Sequence, residues 1–233
     1  MVRSIKEECG IKCRRRKRFK VTTNSDHNKL VYPNVLDQKF NAKRPNESSV
    51  SDITYIWTAE DWLYLASVKY LYTKELVGYA IGKRITADLV CKALIMAIKN
   101  KRPSQGLILH SDRGSQYCSH AYHKIIKRHH FKGSMSGKGN CFDNAPIESF
   151  SGEEHCFARK HELVYHHDYK TRLEAINEIT QYIELDYNEE RLAKYCFAAT
   201  QDKSYARSGT RIQKSLGYRS PRQMWFDFYR HAA

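Results

Sequence analysis

Hydrophobic and polar residues alternate through Val50-Ser51-Asp52-Ile53-Thr54-Tyr55-Ile56, the two-residue period of a strand with one half-buried face. Two further β-rich runs, over 62–68 and 75–81, follow with turn material between them, as in an antiparallel meander. The period then changes. Thr86-Ala87-Asp88 opens a helix with Leu89, Val90, Ala93, Leu94, Ala97 and Ile98 on one face. The apolar run Gly106-Leu107-Ile108-Leu109-His110 predicts a fourth strand, with Asp112 at its C-terminal end. A helix through Tyr122, Ile125 and Ile126 comes next, then a short strand over 131–135. Asp143-Asn144-Ala145-Pro146 carries the capping residues and early proline that start another helix. Beyond it, Thr171-Arg172-Leu173-Glu174 is a capping box. Leu173, Ile176, Ile179, Ile183 and Tyr187 extend it as a helical stripe of ordinary core packing.

A chain of 233 residues is long enough for one sizeable core with small appended segments. The patterning divides it into a basic N-terminal arm and linker over 1–46, a core over 47–190 and an interrupted C-terminal segment over 191–233. Forty Lys and Arg against 25 Asp and Glu give a formal charge of +15, which points to phosphate backbones as partners. The charge is densest at Arg14, Arg15, Arg16, Lys17, Arg18 and Lys20, six cations interrupted only by Phe19. Such a run is usually a solvated arm, but in a chain this basic it reads as a DNA contact. Residues 21–46 suit an extended linker. No apolar run approaches the length of a membrane-spanning helix and no secretory segment opens the chain, so the expected location is cytoplasmic. The seven cysteines are odd in number and scattered. Cys9 and Cys13 lack a second pair at zinc-finger spacing, so reduced structural thiols are expected. The adjacent pairs His129-His130 and His166-His167 point in different directions on any regular element and read as surface histidines.

The chemistry is carried by Asp52, Asp112 and Glu148, with 35 residues between the last two. Asp52 lies in the first strand, Asp112 closes the fourth, and Glu148 stands in the first turns of the helix opened near Asp143. A lone aspartate in a strand or turn is most often solvated or a helix cap. Three carboxylates on elements that border one cavity form a set of hard oxygen ligands suited to Mg²⁺ or Mn²⁺.

The segments Ser51-Asp52-Ile53-Thr54-Tyr55-Ile56, His110-Ser111-Asp112-Arg113-Gly114-Ser115-Gln116-Tyr117 and Gly137-Lys138-Gly139-Asn140-Cys141-Phe142-Asp143-Asn144-Ala145-Pro146-Ile147-Glu148-Ser149-Phe150 closely resemble the integrase core of bacterial insertion-sequence transposases. The family is the IS-three type, second reading frame, which is related to retroviral integrases. With interruptions, the similarity runs from about residue 12 to 226. It implies an α/β, ribonuclease-H-like integrase core: a mixed five-stranded sheet flanked by helices, with a basic N-terminal arm and a C-terminal helical segment. Patterning alone leaves several topologies open. The resemblance also implies a DNA transposase that nicks DNA and joins ends by metal-dependent phosphoryl transfer. Asp52, Asp112 and Glu148 would be the catalytic metal ligands, with transposon ends and target DNA as partners and a homo-oligomer on DNA in the bacterial nucleoid. Lys138 is the expected phosphate contact in the glycine-flanked loop before Glu148. Asn140, Asn144, Ser115, Gln116 and Tyr117 are open between capping and DNA-orienting roles, and Asp143 reads as a cap.

Four features depart from the family pattern. Only the last residues of the usual upstream helix-turn-helix-like region stand before the basic run. Ser49 replaces a tryptophan near the first acid. Beyond Glu148, His155 takes the place of a cation and Gly152 weakens the helix by about 1 kcal/mol. Arg159, eleven positions after Glu148 and therefore on its face of an ideal helix, is the expected substitute cation. Residues 192–210 interrupt the closing motif and are expected to be a poorly ordered excursion. These features fit a degenerate copy, and the alternative reading is a catalytically inactive, DNA-binding transposase remnant.

Overall fold

The computed structural model describes residues 28–137, 168–190 and 221–231. Three strands come first: β1 (Ser48–Ile56), β2 (Leu63–Tyr70) and β3 (Leu76–Gly82). Helix α1 (Ala87–Lys101), strand β4 (Ile108–Ser111), helix α2 (His120–Arg128) and strand β5 (Lys132–Met135) follow. Helix α3 (Arg172–Gln181) runs directly into a π-helical stretch (Tyr182–Glu190), and α4 (Pro221–His231) closes the described chain. The sheet order is β3-β2-β1-β4-β5. β1, β2 and β3 form the antiparallel meander, while β4 pairs parallel to β1 and β5 parallel to β4. This is the mixed five-stranded sheet expected of the fold class, with its strand and helix periods in the expected order.

The two faces of the sheet are buried differently. One face carries Ile53, Tyr64, Ala66 and Val68 against Leu89, Val90, Ala93, Leu94 and Ala97 of α1 and Tyr122 and Ile126 of α2. The local sequence fixes the start of α1. Thr86 accepts a hydrogen bond from the Leu89 amide at 3.2 Å, and Asp88 in the first turn pairs with Lys92 at 2.7 Å. The opposite face packs Ile56, Leu63 and Leu76 under Tyr169, Ala175, Ile179, Ile183 and Tyr187. The stripe read on α3 is thus partly corrected: Leu173 is 66% exposed, because it lies on the solvent side of the first turn. Residues 182–190 also adopt a π-helix where an ordinary helix was expected. There, Asn188 accepts from the Leu76 amide at 3.2 Å and donates to the Leu76 carbonyl at 3.1 Å. One side chain supplies the hydrogen bonds that a further strand would have given to edge strand β3.

Residues 31–46, read as linker, contain no helix or strand but are packed. Leu36 is buried with Val50 and Leu71, and the Val35 and Leu36 amides donate to Ser134 Oγ of β5 at 2.9 and 3.0 Å. Ser49, where the sequence resemblance implies a tryptophan, is fully buried with its hydroxyl 3.5 Å from the Ile108 carbonyl. Helix α4 returns to the β2–β3 end of the sheet. Trp225 stacks on Tyr70 with an interplanar angle of 10°, and the Lys101 ammonium sits 4.6 Å from the Trp225 ring centroid and 2.8 Å from Glu75. Residues 192–210, expected to form an excursion, lie outside the described residues.

Candidate active site

β4 pairs with only the first four residues of β1, from Ser48↔Ile108 to Ser51↔Ser111. Beyond that pair β1 continues while β4 stops, and the next residue on each strand is an aspartate: Asp52 on β1 and Asp112 after β4. Adjacent strands lie roughly 5 Å apart, so the two carboxylates are neighbours at a notch on the C-terminal side of two parallel strands, where α/β sheets place their chemistry. Both are partly exposed. Mid-strand Asp52 becomes accessible because β4 ends beside it.

The loop that carries Asp112 is tied in place from both sides. Asp112 Oδ1 accepts from the Gly114 amide at 2.9 Å, and the Gly114 carbonyl accepts from the Tyr117 amide at 3.0 Å. Tyr117 is buried, with its hydroxyl 3.1 Å from Ser51 Oγ, while Ser51 donates its only hydrogen to the Ser67 carbonyl at 2.9 Å. Tyr117 must therefore be the donor to Ser51. Burial raises the Tyr117 pKa well above that of a free phenol, and the nearby Tyr122, Asp52 and Asp112 raise it further, which keeps the donor proton in place. A closed circuit of backbone and hydrogen bonds links the residue before Asp52 to the turn after Asp112. Tyr117→Phe is expected to lower stability by about 1 kcal/mol in urea unfolding, because Ser51 Oγ loses its donor inside the core. An unchanged midpoint would mean that this circuit contributes nothing.

A second brace fixes the strand before Asp112. Ser134 Oγ accepts from two backbone amides, so its own hydrogen goes to His110 Nδ1 at 2.9 Å. His110 Nε2 then donates to Ser136 Oγ at 3.2 Å, which assigns a neutral, buried imidazole bridging β4 and β5. Arg113 Nε donates to the Ser136 carbonyl, and Lys29 Nζ to the Ser115 carbonyl at 3.2 Å, so two cations flank the Asp112 loop.

Of the residues singled out in the sequence, the structure brings Asp52 and Asp112 together. Glu148, Lys138, Arg159, His155 and the run Arg14, Arg15, Arg16, Lys17, Arg18 and Lys20 lie outside the described residues, as do Asn140, Asp143 and Asn144. Among the described residues, no group of three or more His, Cys, Asp or Glu side chains is arranged to hold a metal. Cys91 and Cys118 are free and buried, and no described helix is long and apolar enough to cross a membrane. Sequence reading missed the supporting shell of Ser51, His110, Ser134 and Ser136. Its one visible sign was small hydroxyl residues in strands otherwise fit for Val or Ile.

Residues 42–141 match the integrase core domain family. The uncharacterized 31 kDa protein of insertion element IS600 from Shigella sonnei is 48% identical over 187 residues, which cover 80% of this chain and 67% of that protein. The InsF transposase for insertion sequence IS3A of Escherichia coli is 38% identical over 187 residues, covering 80% of this chain and 63% of that protein. The chain thus spans about two thirds of the length of these relatives. Among solved structures, the Mos1 transposase catalytic domain, in a structure with Raltegravir and Mn, aligns with a TM-score of 0.50 at 14% identity, covering 64% of this chain and 76% of that one. At that identity the likeness speaks for the fold alone.

Proposed function

The chain belongs to the integrase-core transposases of the IS-three insertion-sequence family, and we propose that it is a DNA transposase acting by metal-dependent phosphoryl transfer. The observation that carries this reading is the pair Asp52 and Asp112, side by side at the notch where β4 ends. Two partly exposed carboxylates with no thiol or imidazole in the pair form a donor set suited to Mg²⁺ or Mn²⁺. Asp52 and Asp112 would hold the ion, and Glu148 is assigned the third carboxylate by its motif. When bound, such an ion activates a hydroxyl and offsets the charge that develops at phosphorus. The chain's own residues set the geometry. Gly114 and Tyr117 orient the Asp112 turn, Ser51 anchors β1 beside Asp52, and Arg113 and Lys29 hold positive charge at the rim.

The same reading assigns DNA contacts to the basic run at 14–20 and to Lys138 and Arg159. It places the catalytic core at 47–190 between a basic arm and a C-terminal segment. It further makes the protein a homo-oligomer that assembles on transposon ends and target DNA in the bacterial nucleoid.

Incubation of the full chain with Mg²⁺ or Mn²⁺ and linear DNA bearing the element's terminal repeats tests the proposal. Weak metal-dependent nicking is expected, lost in Glu148→Gln, with little end joining, because His155 stands in place of a cation and Gly152 disfavours a helix after Glu148. DNA binding without any cleavage would instead identify an inactive remnant. Hydrolysis in which no joined product ever appears would identify a nuclease on the same fold.

A further inference from the structure

From Arg113 to Gly137 the chain contains no Asp or Glu, but it carries Arg113, Lys124, Lys127, Arg128 and Lys132, together with four histidines. Helix α2 lies within this stretch. It buries Tyr122, His123 and Ile126 against the core and exposes His120, Lys124, Lys127 and Arg128. Positions 120, 124, 127 and 128 share one side of a helix, so the cations form a stripe roughly 12 Å long.

Structural roles explain this stripe only in part. Lys127 and Arg128 stand in the last turn, where a cation complements the helix dipole. His120 and Lys124 gain nothing from that effect, and the first turn holds no acid. Helix α1 shows the ordinary solution, with Asp88 in its first turn and an ion pair to Lys92 at 2.7 Å. Lys124, Lys127 and Arg128 have no such ion pair among the described residues. Their field reaches the core side of the helix. The pKa of His123 is lowered, first by burial and then by His120 and Lys127.

The placement is directional. α2 connects the parallel strands β4 and β5, so it runs back along the sheet, starting at the end where Asp112 lies. Its N-cap, Ser119, is seven residues beyond Asp112, and Lys29 is held on the intervening loop at Ser115. On the opposite face of the sheet, residues 172–185 carry Glu174, Glu178 and Glu184 against the cation Arg172. A polyanion approaching the Asp52–Asp112 notch is repelled from that side and attracted to this one.

We propose that the exposed face of α2, His120, Lys124, Lys127 and Arg128, is a docking surface for the phosphate backbone of duplex DNA leading to the Asp52–Asp112 notch. This rests on the DNA-processing reading above and adds to it a surface and a direction of approach. With a rise of about 3.4 Å per base pair, the stripe tracks roughly three to four base pairs. Such contacts position the duplex and carry no sequence information.

The test is the salt dependence of binding to a duplex of arbitrary sequence, about 30 base pairs long, for the full chain and for Lys124→Gln/Lys127→Gln/Arg128→Gln. Lys83→Gln/Arg84→Gln/Lys99→Gln removes the same charge from other exposed positions. The α2 variant is expected to flatten the slope of log K against log salt by about 2 to 3, because each lost phosphate contact removes about 0.9. The control should retain most of the slope, and thermal unfolding of both should match the parent. Equal slopes for the α2 variant and the parent, or equal losses in both variants, would overturn the docking surface while leaving the DNA reading intact. A parent chain that binds no duplex at all would overturn both. If the α2 variant keeps its slope but loses self-association in sedimentation, the stripe faces the acidic 172–185 surface of a second copy, and the proposal is wrong.

Discussion

Asp112→Asn is expected to reduce metal-dependent DNA cleavage by about a thousandfold while leaving the protein folded and slightly more stable without metal. Asparagine keeps the oxygen that accepts from the Gly114 amide, so the turn survives. What it loses is an anionic ligand. Metal assistance contributes several kcal/mol of charge stabilisation at phosphorus, and each 1.36 kcal/mol is tenfold in rate, so about 4 kcal/mol corresponds to a thousandfold. The stability change has the opposite sign. Asp52 and Asp112 are like charges on neighbouring strands, a juxtaposition that costs about 0.2 to 1 kcal/mol, and neutralising one relieves it. Mg²⁺ is therefore expected to raise the melting temperature of the parent and to have little effect on that of Asp112→Asn. Cleavage within tenfold of the parent would remove Asp112 from the site, as would an undiminished metal-induced rise in melting temperature.

The order of strands and helices was legible because each element shows its own period: two residues in β1, about 3.6 in α1, with Thr86 marking the helix start. The positions of Asp52 within a strand and Asp112 at a strand end suggested a shared cavity, and the family motif joined them, since nothing local to either aspartate tells which strands pair. What remained hidden depends on partners distant in sequence. The serine hydroxyls that brace the site gain their meaning from Tyr117, His110 and the amides of residues 35 and 36. The π-helix at 182–190 has the apolar spacing of any helix, and within it Asn188 meets the backbone of Leu76, 112 residues away. Leu173 was misread because the first turn of a helix offers the same spacing whether or not a neighbour covers it. Ser49 is a small buried residue under a neighbouring strand carbonyl, beside the β1–β4 pairing that sets the aspartates side by side.

Gly78 is expected to tolerate no side chain. It lies in β3 directly under α1, and a Cβ built there would collide with the Ala93 carbonyl oxygen and meet the Ala97 nitrogen at 2.5 Å and the Ala97 Cβ at 2.7 Å. Two of these three atoms are helix backbone, so no rotamer change relieves the contact and α1 itself must move. That helix buries Leu89, Val90, Cys91, Ala93, Leu94 and Ala97, and lifting it opens the largest part of the core. A strand glycine replaced by alanine without a clash would gain about 0.4 to 1 kcal/mol from the unfolded chain. Overpacking commonly costs about 1 to 3 kcal/mol and more where backbone must shift, so the clash is expected to win, removing about 3 kcal/mol from a total of about 5 to 15. Gly78→Ala should therefore lower the urea midpoint substantially, and adding Ala97→Gly should restore little, since it removes only one of the three contacts. Full recovery in the double variant would place the conflict at the Ala97 methyl alone, and an unchanged midpoint in Gly78→Ala would show that α1 does not rest on β3 as closely as these distances require.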